Sequence, residues 1–210
     1  PLIYIPNPNN PTVLPLDPGA LLTFLERVPE KCVVVLDEAY TDFMDEKLRT
    51  PSFEWVKRFP NLLVTRTFSK AYGLAGLRAG FGVANKELIE MMNRIRPPSN
   101  MNAAAQAAAV AALDDQAFLR KVVQTNAKER ARLAAFFDEL KLVQLPSQAN
   151  FIMVHVGPEA AEINEAMLRK GVILRPLKSY GIPEYMRISV GSPEENDIFM
   201  TAFRETLSAL

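Results

Sequence analysis

The sequence has little of what disulfide-stabilised, nucleic-acid-binding or membrane-spanning proteins require. Its 210 residues include one cysteine, Cys32, so no disulfide framework can form within the chain. Lysine plus arginine equals aspartate plus glutamate at 24 each, so there is no basic excess to attract nucleic acid. No apolar run approaches membrane-spanning length, and no signal peptide is visible. We therefore expect a protein of a reducing, cytoplasmic compartment that binds neither nucleic acid nor membranes.

What the first half of the chain does contain is a regular alternation of apolar runs and amphipathic segments. Residues 31–36 and 62–65 are predicted strands of a parallel sheet that is covered on both faces. A helix is predicted after Asp17 and Pro18, which are favoured at the N-cap and at the first helical position. This pattern predicts an α/β fold with a mostly parallel sheet.

The second half shows a different pattern, in which short strands and helices are mixed. After a Pro-Pro break at residues 96–100, two helices are predicted at 103–113 and 117–140. Strands are then predicted at 142–145, 151–156, 172–174 and 186–190, and helices at 158–170 and 193–210. Ser192 and Glu195 predict a capping box for the last helix. We expect three regions: part of a large domain at 1–96, a linker with interdomain helices at 97–140, and a small α+β domain at 141–210.

A glycine-rich loop after residues 62–65 carries the strongest chemical signal. The hydroxyls of Thr67 and Ser69 and the guanidinium of Arg78 predict a phosphate cradle. Lys70 lies among small and hydroxyl residues, a setting that suits a Schiff-base amine. Taken alone, the loop is better explained as a surface turn that carries one solvated lysine, and only the other motifs of the chain favour the chemical reading.

Four motifs occur in a fixed order along the chain, namely Asn10-Pro-Thr12, Asp37-Glu-Ala-Tyr40, Thr67-Phe-Ser-Lys70 and Arg78. Together they resemble the fold-type I aminotransferases that depend on pyridoxal 5'-phosphate. The tail motifs at 171–181 and 186–191 are similar to those of the histidinol-phosphate aminotransferases. The resemblance implies a large domain with a mostly parallel sheet, a small α+β C-terminal domain and a homodimer. It also implies that these residues are the C-terminal portion of a longer protein, to which any activity belongs.

The resemblance assigns a role to each motif. Lys70 forms the covalent link to the cofactor, Asp37 pairs with its ring nitrogen, and Tyr40 hydrogen-bonds its phenolic oxygen. Asn10 donates to the same oxygen, although an Asx-turn within its own loop is the alternative. The implied cofactor-binding set is Asn10, Asp37, Tyr40, Thr67, Ser69, Lys70 and Arg78, with no metal.

Two arginines and an asparagine are the candidate substrate-binding residues. Arg187 lies between apolar residues on a predicted strand and therefore needs an anionic partner. An acid of the last helix could be that partner. The resemblance instead assigns Arg187 to the anion of glutamate or 2-oxoglutarate, Arg175 to the substrate phosphate, and Asn150 to the vicinity of the substrate carboxylate. The implied reaction is transamination of L-histidinol phosphate with 2-oxoglutarate or glutamate, in histidine biosynthesis.

Three other functions remain open on the same motifs. The chain could be an aromatic amino-acid aminotransferase, a phosphothreonine decarboxylase, or an aminotransferase-like regulator domain that does not catalyse. Val13 departs from the family pattern, which has glycine there, so the turn after Asn10 is not predicted from the motif. Glu38 and His155, the single histidine, are interpreted as structural residues.

Overall fold

The computed structural model describes residues 1–209, which form two compact units. Unit 1 comprises residues 1–9 and 15–122, and unit 2 comprises residues 10–14 and those from 123 onward. The region expected as a linker, 97–140, is therefore divided between the units, and the region 141–209 lies in unit 2. Residue 210, the expected end of the last helix and of the small domain, lies outside the described residues. Among the described helices, none combines the length and the apolar character needed to cross a membrane.

Unit 1 is built on a four-stranded sheet with the order β1-β2-β3-β4. Its strands are β1 (Leu2–Pro6), β2 (Val33–Asp37), β3 (Leu62–Thr67) and β4 (Gly80–Ala84). The first three strands are parallel, and β4 runs antiparallel to β3. Because β1, β2 and β3 point the same way, their carboxyl ends lie at one edge of the sheet, where open α/β sheets bind ligands.

Four helices accompany this sheet, namely α1 (Pro18–Arg27), α2 (Ser52–Arg58), α3 (Lys86–Ile95) and α4 (Ala103–Asp114). The Asp17 side chain accepts a hydrogen bond from the Ala20 amide at 2.8 Å, so α1 begins as predicted. Leu21 from α1 and Trp55 from α2 pack with Leu36 of β2 in one buried cluster. This packing fixes the strand ends that carry the candidate site.

Unit 2 combines a three-stranded antiparallel sheet with helices, as expected of an α+β unit. Its elements are the greater part of α5 (Gln116–Glu139), β5 (Phe151–His155), α6 (Ala160–Arg169), β6 (Arg175–Pro176), β7 (Tyr185–Ser189) and α7 (Pro193–Ala209). The strand order is β5-β7-β6. Phe137 of α5 meets Phe199 and Phe203 of α7 in edge-to-face geometry, with ring centroids about 6 Å apart. The predicted capping box is present, because Glu195 N donates to Ser192 Oγ and Ser192 N donates to Glu195 Oε2.

Two predicted strands are wrong. Residues 142–145 make only an isolated bridge, between Gln144 and Val154, because the amide of Leu142 bonds to the end of α5 and the next residue after 145 is a proline. Residues 172–174 form no strand, since the Val172 amide closes the end of α6 by donating to Met167 O. The strand begins later, at Arg175, which places this arginine in the sheet.

Candidate cofactor and substrate site

Asp37 is the last residue of β2, at the carboxyl edge of the sheet in unit 1. Its Oδ1 accepts a hydrogen bond from the Ala39 amide at 3.1 Å, and its Oδ2 accepts one from the Tyr4 hydroxyl. The carboxylate is only partly buried, so it can still receive a ligand. An ionised carboxylate has about four lone-pair positions, and two neighbours leave room for a further donor.

Tyr40 and Lys70 come together at the same edge. Tyr40 follows the end of β2 and is buried, whereas Lys70 lies in the loop after β3 with an exposed side chain. The Lys70 Nζ atom stands 5.3 Å from the centroid of the Tyr40 ring, a cation–π distance. A primary amine therefore lies beside a phenol, reachable from solvent.

The remainder of this loop collects hydrogen-bond donors. The Ser69 amide donates to Thr67 Oγ1 at 3.0 Å, which folds the chain back at the end of β3. Arg78, in the left-handed region at φ 55°, places its Nη1 3.4 Å from Ser69 Oγ and donates to Ala75 O at 2.7 Å. A hydroxyl and a guanidinium side by side can receive a dianionic phosphate.

Close approach of β3 and β4 requires glycine at position 80. A Cβ atom there would lie 2.8 Å from the Arg66 carbonyl oxygen, which is closer than real Cβ atoms come. Glycine at position 80 therefore allows β4 to approach β3 closely. This close approach holds the end of the loop that carries Arg78 next to β3.

The buried carboxylate of Glu38 links the end of β2 to β3. Glu38, 1 % exposed, accepts hydrogen bonds from Thr50 Oγ1 at 2.6 Å and Ser52 Oγ at 2.9 Å. It also accepts from both Nε and Nη2 of Arg66, at 2.9 and 2.7 Å, which ties the end of β2 to β3. Burial raises the pKa of nearby Asp42, although Arg66 opposes the rise. The sequence motifs did not indicate this network, whose only signal was an arginine between two threonines at the end of an apolar strand.

Glu38→Gln is expected to destabilise the full-length protein by about 3 kcal/mol, because it leaves the Arg66 guanidinium without its anion in a largely buried position. Urea unfolding measures the loss as a lower transition midpoint. Glu54→Gln is the matched control, since Glu54 pairs with Lys57 on the exposed face of α2 and such pairs contribute about 0–1 kcal/mol. Equal effects of the two substitutions would contradict the role given to Glu38.

The candidate substrate residues lie in unit 2. Arg175 on β6 and Arg187 on β7 are direct cross-strand partners. Such residues project from the same face of a sheet, where two like charges repel unless an anion lies between them. Arg187 Nη1 donates to Asn10 Oδ1 at 2.9 Å, and its guanidinium lies 5.0 Å from the centroid of the Phe151 ring. The hydrogen bond establishes which end of the Asn10 amide is the acceptor.

The alternative partner for Arg187, an acid of α7, is not found within residues 1–209. Asp197 of that helix pairs with Arg132, and Glu205 pairs with Lys170. Asn150 precedes β5, and its backbone carbonyl accepts from the Val190 amide at 2.9 Å. Val13 is fully buried at φ 60°, a conformation that a β-branched residue rarely adopts, so the turn after Asn10 is made without glycine.

The predicted site residues thus form two groups. Asp37, Tyr40, Thr67, Ser69, Lys70 and Arg78 belong to unit 1, and Asn10, Asn150, Arg175 and Arg187 belong to unit 2. A family model for aminotransferase class I and II matches residues 1–203. The chain belongs to this family. The resemblance inferred from the ordered motifs and the predicted fold class are both confirmed, whereas the roles of the individual residues stay predictions.

Two curated aminotransferases and one solved structure illustrate the similarity. Histidinol-phosphate aminotransferase 2 of Ralstonia nicotianae is 51% identical over 99% of this chain and 56% of its own length. Histidinol-phosphate aminotransferase 1 of Cupriavidus pinatubonensis is 50% identical over 98% of this chain and 56% of its own length. The crystal structure of histidinol-phosphate aminotransferase from Sinorhizobium meliloti in complex with pyridoxal-5'-phosphate superposes with a TM-score of 0.92, at 32% identity, and covers 100% of this chain and 58% of that one. The chain therefore spans a little over half the length of these relatives.

Proposed function

We propose that the protein containing this chain is a pyridoxal 5'-phosphate-dependent aminotransferase that acts on L-histidinol phosphate and 2-oxoglutarate in histidine biosynthesis. About 50% identity to enzymes of that name, over nearly the whole chain, supports this substrate. The observation that carries the proposal is the facing pair Arg175 and Arg187, two cations on one face of a sheet. A homodimer located in the cytoplasm is part of the same proposal.

The residues of unit 1 fit the cofactor. The partly buried Asp37 carboxylate can pair with the cationic ring nitrogen of the cofactor. The hydroxyl of Ser69 and the guanidinium of Arg78 can bind its phosphate. The amine of Lys70, exposed and close to Tyr40, can form a covalent bond to an aldehyde. When bound, pyridoxal 5'-phosphate supplies an electron sink for the charge that develops on the substrate carbon.

The chain's own residues then account for the remaining steps. Lys70 Nζ, free as an amine once a substrate amine has displaced it, would take the proton from the substrate carbon that bears the amine and deliver it to the cofactor's aldehyde carbon. Asp37 keeps the ring nitrogen protonated, and Tyr40 donates to the phenolic oxygen. That Asn10 also donates to the phenolic oxygen stays a prediction.

Binding of the substrate anion is assigned to residues of unit 2. Arg187, which is held by Asn10 and by the Phe151 ring, is proposed to bind the anionic group of glutamate or 2-oxoglutarate in one half-reaction and to share the phosphate of histidinol phosphate with Arg175 in the other. Arg175 adds a second positive charge for the phosphate, and Asn150 is proposed to lie near the substrate. One pair of cations can serve both substrates because each carries an anion distant from the reacting carbon.

Arg187→Gln in the full-length protein is expected to lower kcat/KM by about 10³-fold for histidinol phosphate and for 2-oxoglutarate, since each substrate loses its charge-assisted hydrogen bonds. Glutamate formation, followed by a coupled assay, measures both values. Arg58→Gln is the control, because Arg58 is an exposed arginine that pairs with Glu26 and is expected to change neither.

The same assay distinguishes the alternative functions. Phenylalanine is expected to react at least about 100-fold less efficiently than histidinol phosphate, because it leaves both arginines without an anion beyond its own carboxylate. A preference for phenylalanine would reassign the substrate to the aromatic amino acids. Release of carbon dioxide from phosphothreonine would indicate the decarboxylase, and cofactor binding without turnover would indicate a regulator domain.

A further inference from the structure

Tyr4 lies on β1, on the same face of the sheet as Asp37. In the parallel register, Tyr4 pairs with Val35 and Pro6 pairs with Asp37. Paired residues of neighbouring strands project to the same face, and Asp37 is two residues beyond Val35, about 7 Å along the strand. A tyrosine side chain directed along the sheet spans that distance, and the Tyr4 hydroxyl donates to Asp37 Oδ2.

This hydrogen bond completes the support of the Asp37 carboxylate. Oδ1 accepts from the Ala39 amide at 3.1 Å and Oδ2 accepts from Tyr4, so each oxygen has one donor from a different element. Two donors on different oxygens fix both the rotamer and the plane of a carboxylate. The lone pairs that are not used by these donors point to the positions from which a ligand can approach.

We propose that Tyr4 is a positioning residue, whose hydroxyl holds the Asp37 carboxylate in the orientation that receives the ring nitrogen of the cofactor. The inference rests on the proposed function and adds a residue that none of the sequence motifs contains. Tyr4 acts through Asp37 and does not itself touch the reacting atoms.

The protonation state of Tyr4 suits this role. Burial of its hydroxyl, the hydrogen bond to Asp37 and the negative charge of Asp37 together raise the pKa of Tyr4 to about 12. The hydroxyl therefore remains a donor at any pH at which the enzyme works.

The test is a double-mutant cycle on cofactor affinity in the full-length protein. The cofactor-free protein is titrated with pyridoxal 5'-phosphate, and the dissociation constant is obtained from the absorbance of the bound cofactor. Tyr4→Phe keeps the ring and removes the hydroxyl, and we expect the dissociation constant to rise about tenfold. In the Asp37→Ala background, the same substitution is expected to change it less than about twofold, because the carboxylate that Tyr4 orients is gone.

A control variant and a second measurement distinguish a positioning role of Tyr4 from a packing role. Tyr180→Phe, at another exposed tyrosine, is expected to leave the dissociation constant unchanged. Tyr4→Phe is also expected to shift the pH at which the absorbance band of the bound cofactor changes, which a packing defect does not do. The thermal midpoint of the cofactor-free protein is expected to stay the same.

Each other outcome overturns a specific statement. Cofactor binding that Tyr4→Phe leaves unchanged would overturn the inference and leave the proposed function intact. An equal loss in the presence and absence of Asp37 would show that Tyr4 acts through packing, which also overturns it. Failure of the unmodified protein to bind the cofactor would overturn the proposed function and this inference together.

Discussion

Lys70→Ala is expected to reduce transamination by the full-length protein about 10⁴-fold or more, because the proposed mechanism uses this one side chain for both the covalent attachment and the proton transfer. Lys70 is the amine that stands beside the Tyr40 ring, and it lies on the loop that also carries Ser69. Alanine removes the amine without disturbing the strand before it. The measurement is single-turnover conversion of histidinol phosphate, followed at the cofactor's absorbance band.

Two comparisons make this result specific. Lys86→Ala, at an exposed lysine that lies near Glu90 on the surface of α3, is expected to leave the rate unchanged. Cofactor is still expected to bind to Lys70→Ala, because Asp37, Ser69 and Arg78 remain. A variant that turns over within tenfold of the unmodified protein would exclude Lys70 as the catalytic amine.

Asp37→Asn is expected to lower kcat about 10³-fold. Asparagine has nearly the same shape: its Oδ1 can accept from the Ala39 amide, and its Nδ2 can donate to the Tyr4 hydroxyl oxygen, so the local structure is preserved. It carries no charge, however, and cannot keep a ring nitrogen protonated. Without that positive charge, the electrons of the developing carbanion are withdrawn less strongly.

The control for this substitution is Asp17→Asn. Asp17 caps α1 through a hydrogen bond from Ala20, and asparagine is an equally good N-cap, so neither stability nor kcat is expected to change. Asp37→Glu, which keeps the charge but displaces it, is expected to lie between the two. Full activity in Asp37→Asn would remove the ring-nitrogen role from the account.

The local chemistry of the chain predicts most of the fold. Asp17 and Pro18 specify the start of α1, and the continuous apolar run before Asp37 specifies a buried parallel strand, since both signals act within a few residues. Residues 142–145 and 172–174 were predicted as strands on the same grounds. In these cases a local hydrogen bond decides the outcome, because the amides of Leu142 and Val172 close the ends of the preceding helices by donating to Phe137 O and Met167 O.

The candidate site likewise contains residues that the sequence motifs predict and contacts that they do not. Lys70 and Asp37 are visible in motifs, because the chemistry requires those residue types next to particular strand ends. The Tyr4 hydrogen bond and the Glu38–Arg66 pair join residues that are 33 and 28 positions apart, and only the strand register brings them together. Val13 shows the limit of motif reasoning, because it takes a left-handed conformation that its side chain disfavours.

The central claim is that this chain carries pyridoxal 5'-phosphate on Lys70. The most direct measurement is borohydride reduction of the full-length protein with bound cofactor, followed by peptide mass spectrometry. Reduction converts the bond between the lysine nitrogen and the cofactor's aldehyde carbon into a stable secondary amine. The account predicts a single modified peptide, with the cofactor's mass on Lys70. Modification of a different lysine, or no modified peptide from a protein that binds the cofactor, would contradict it.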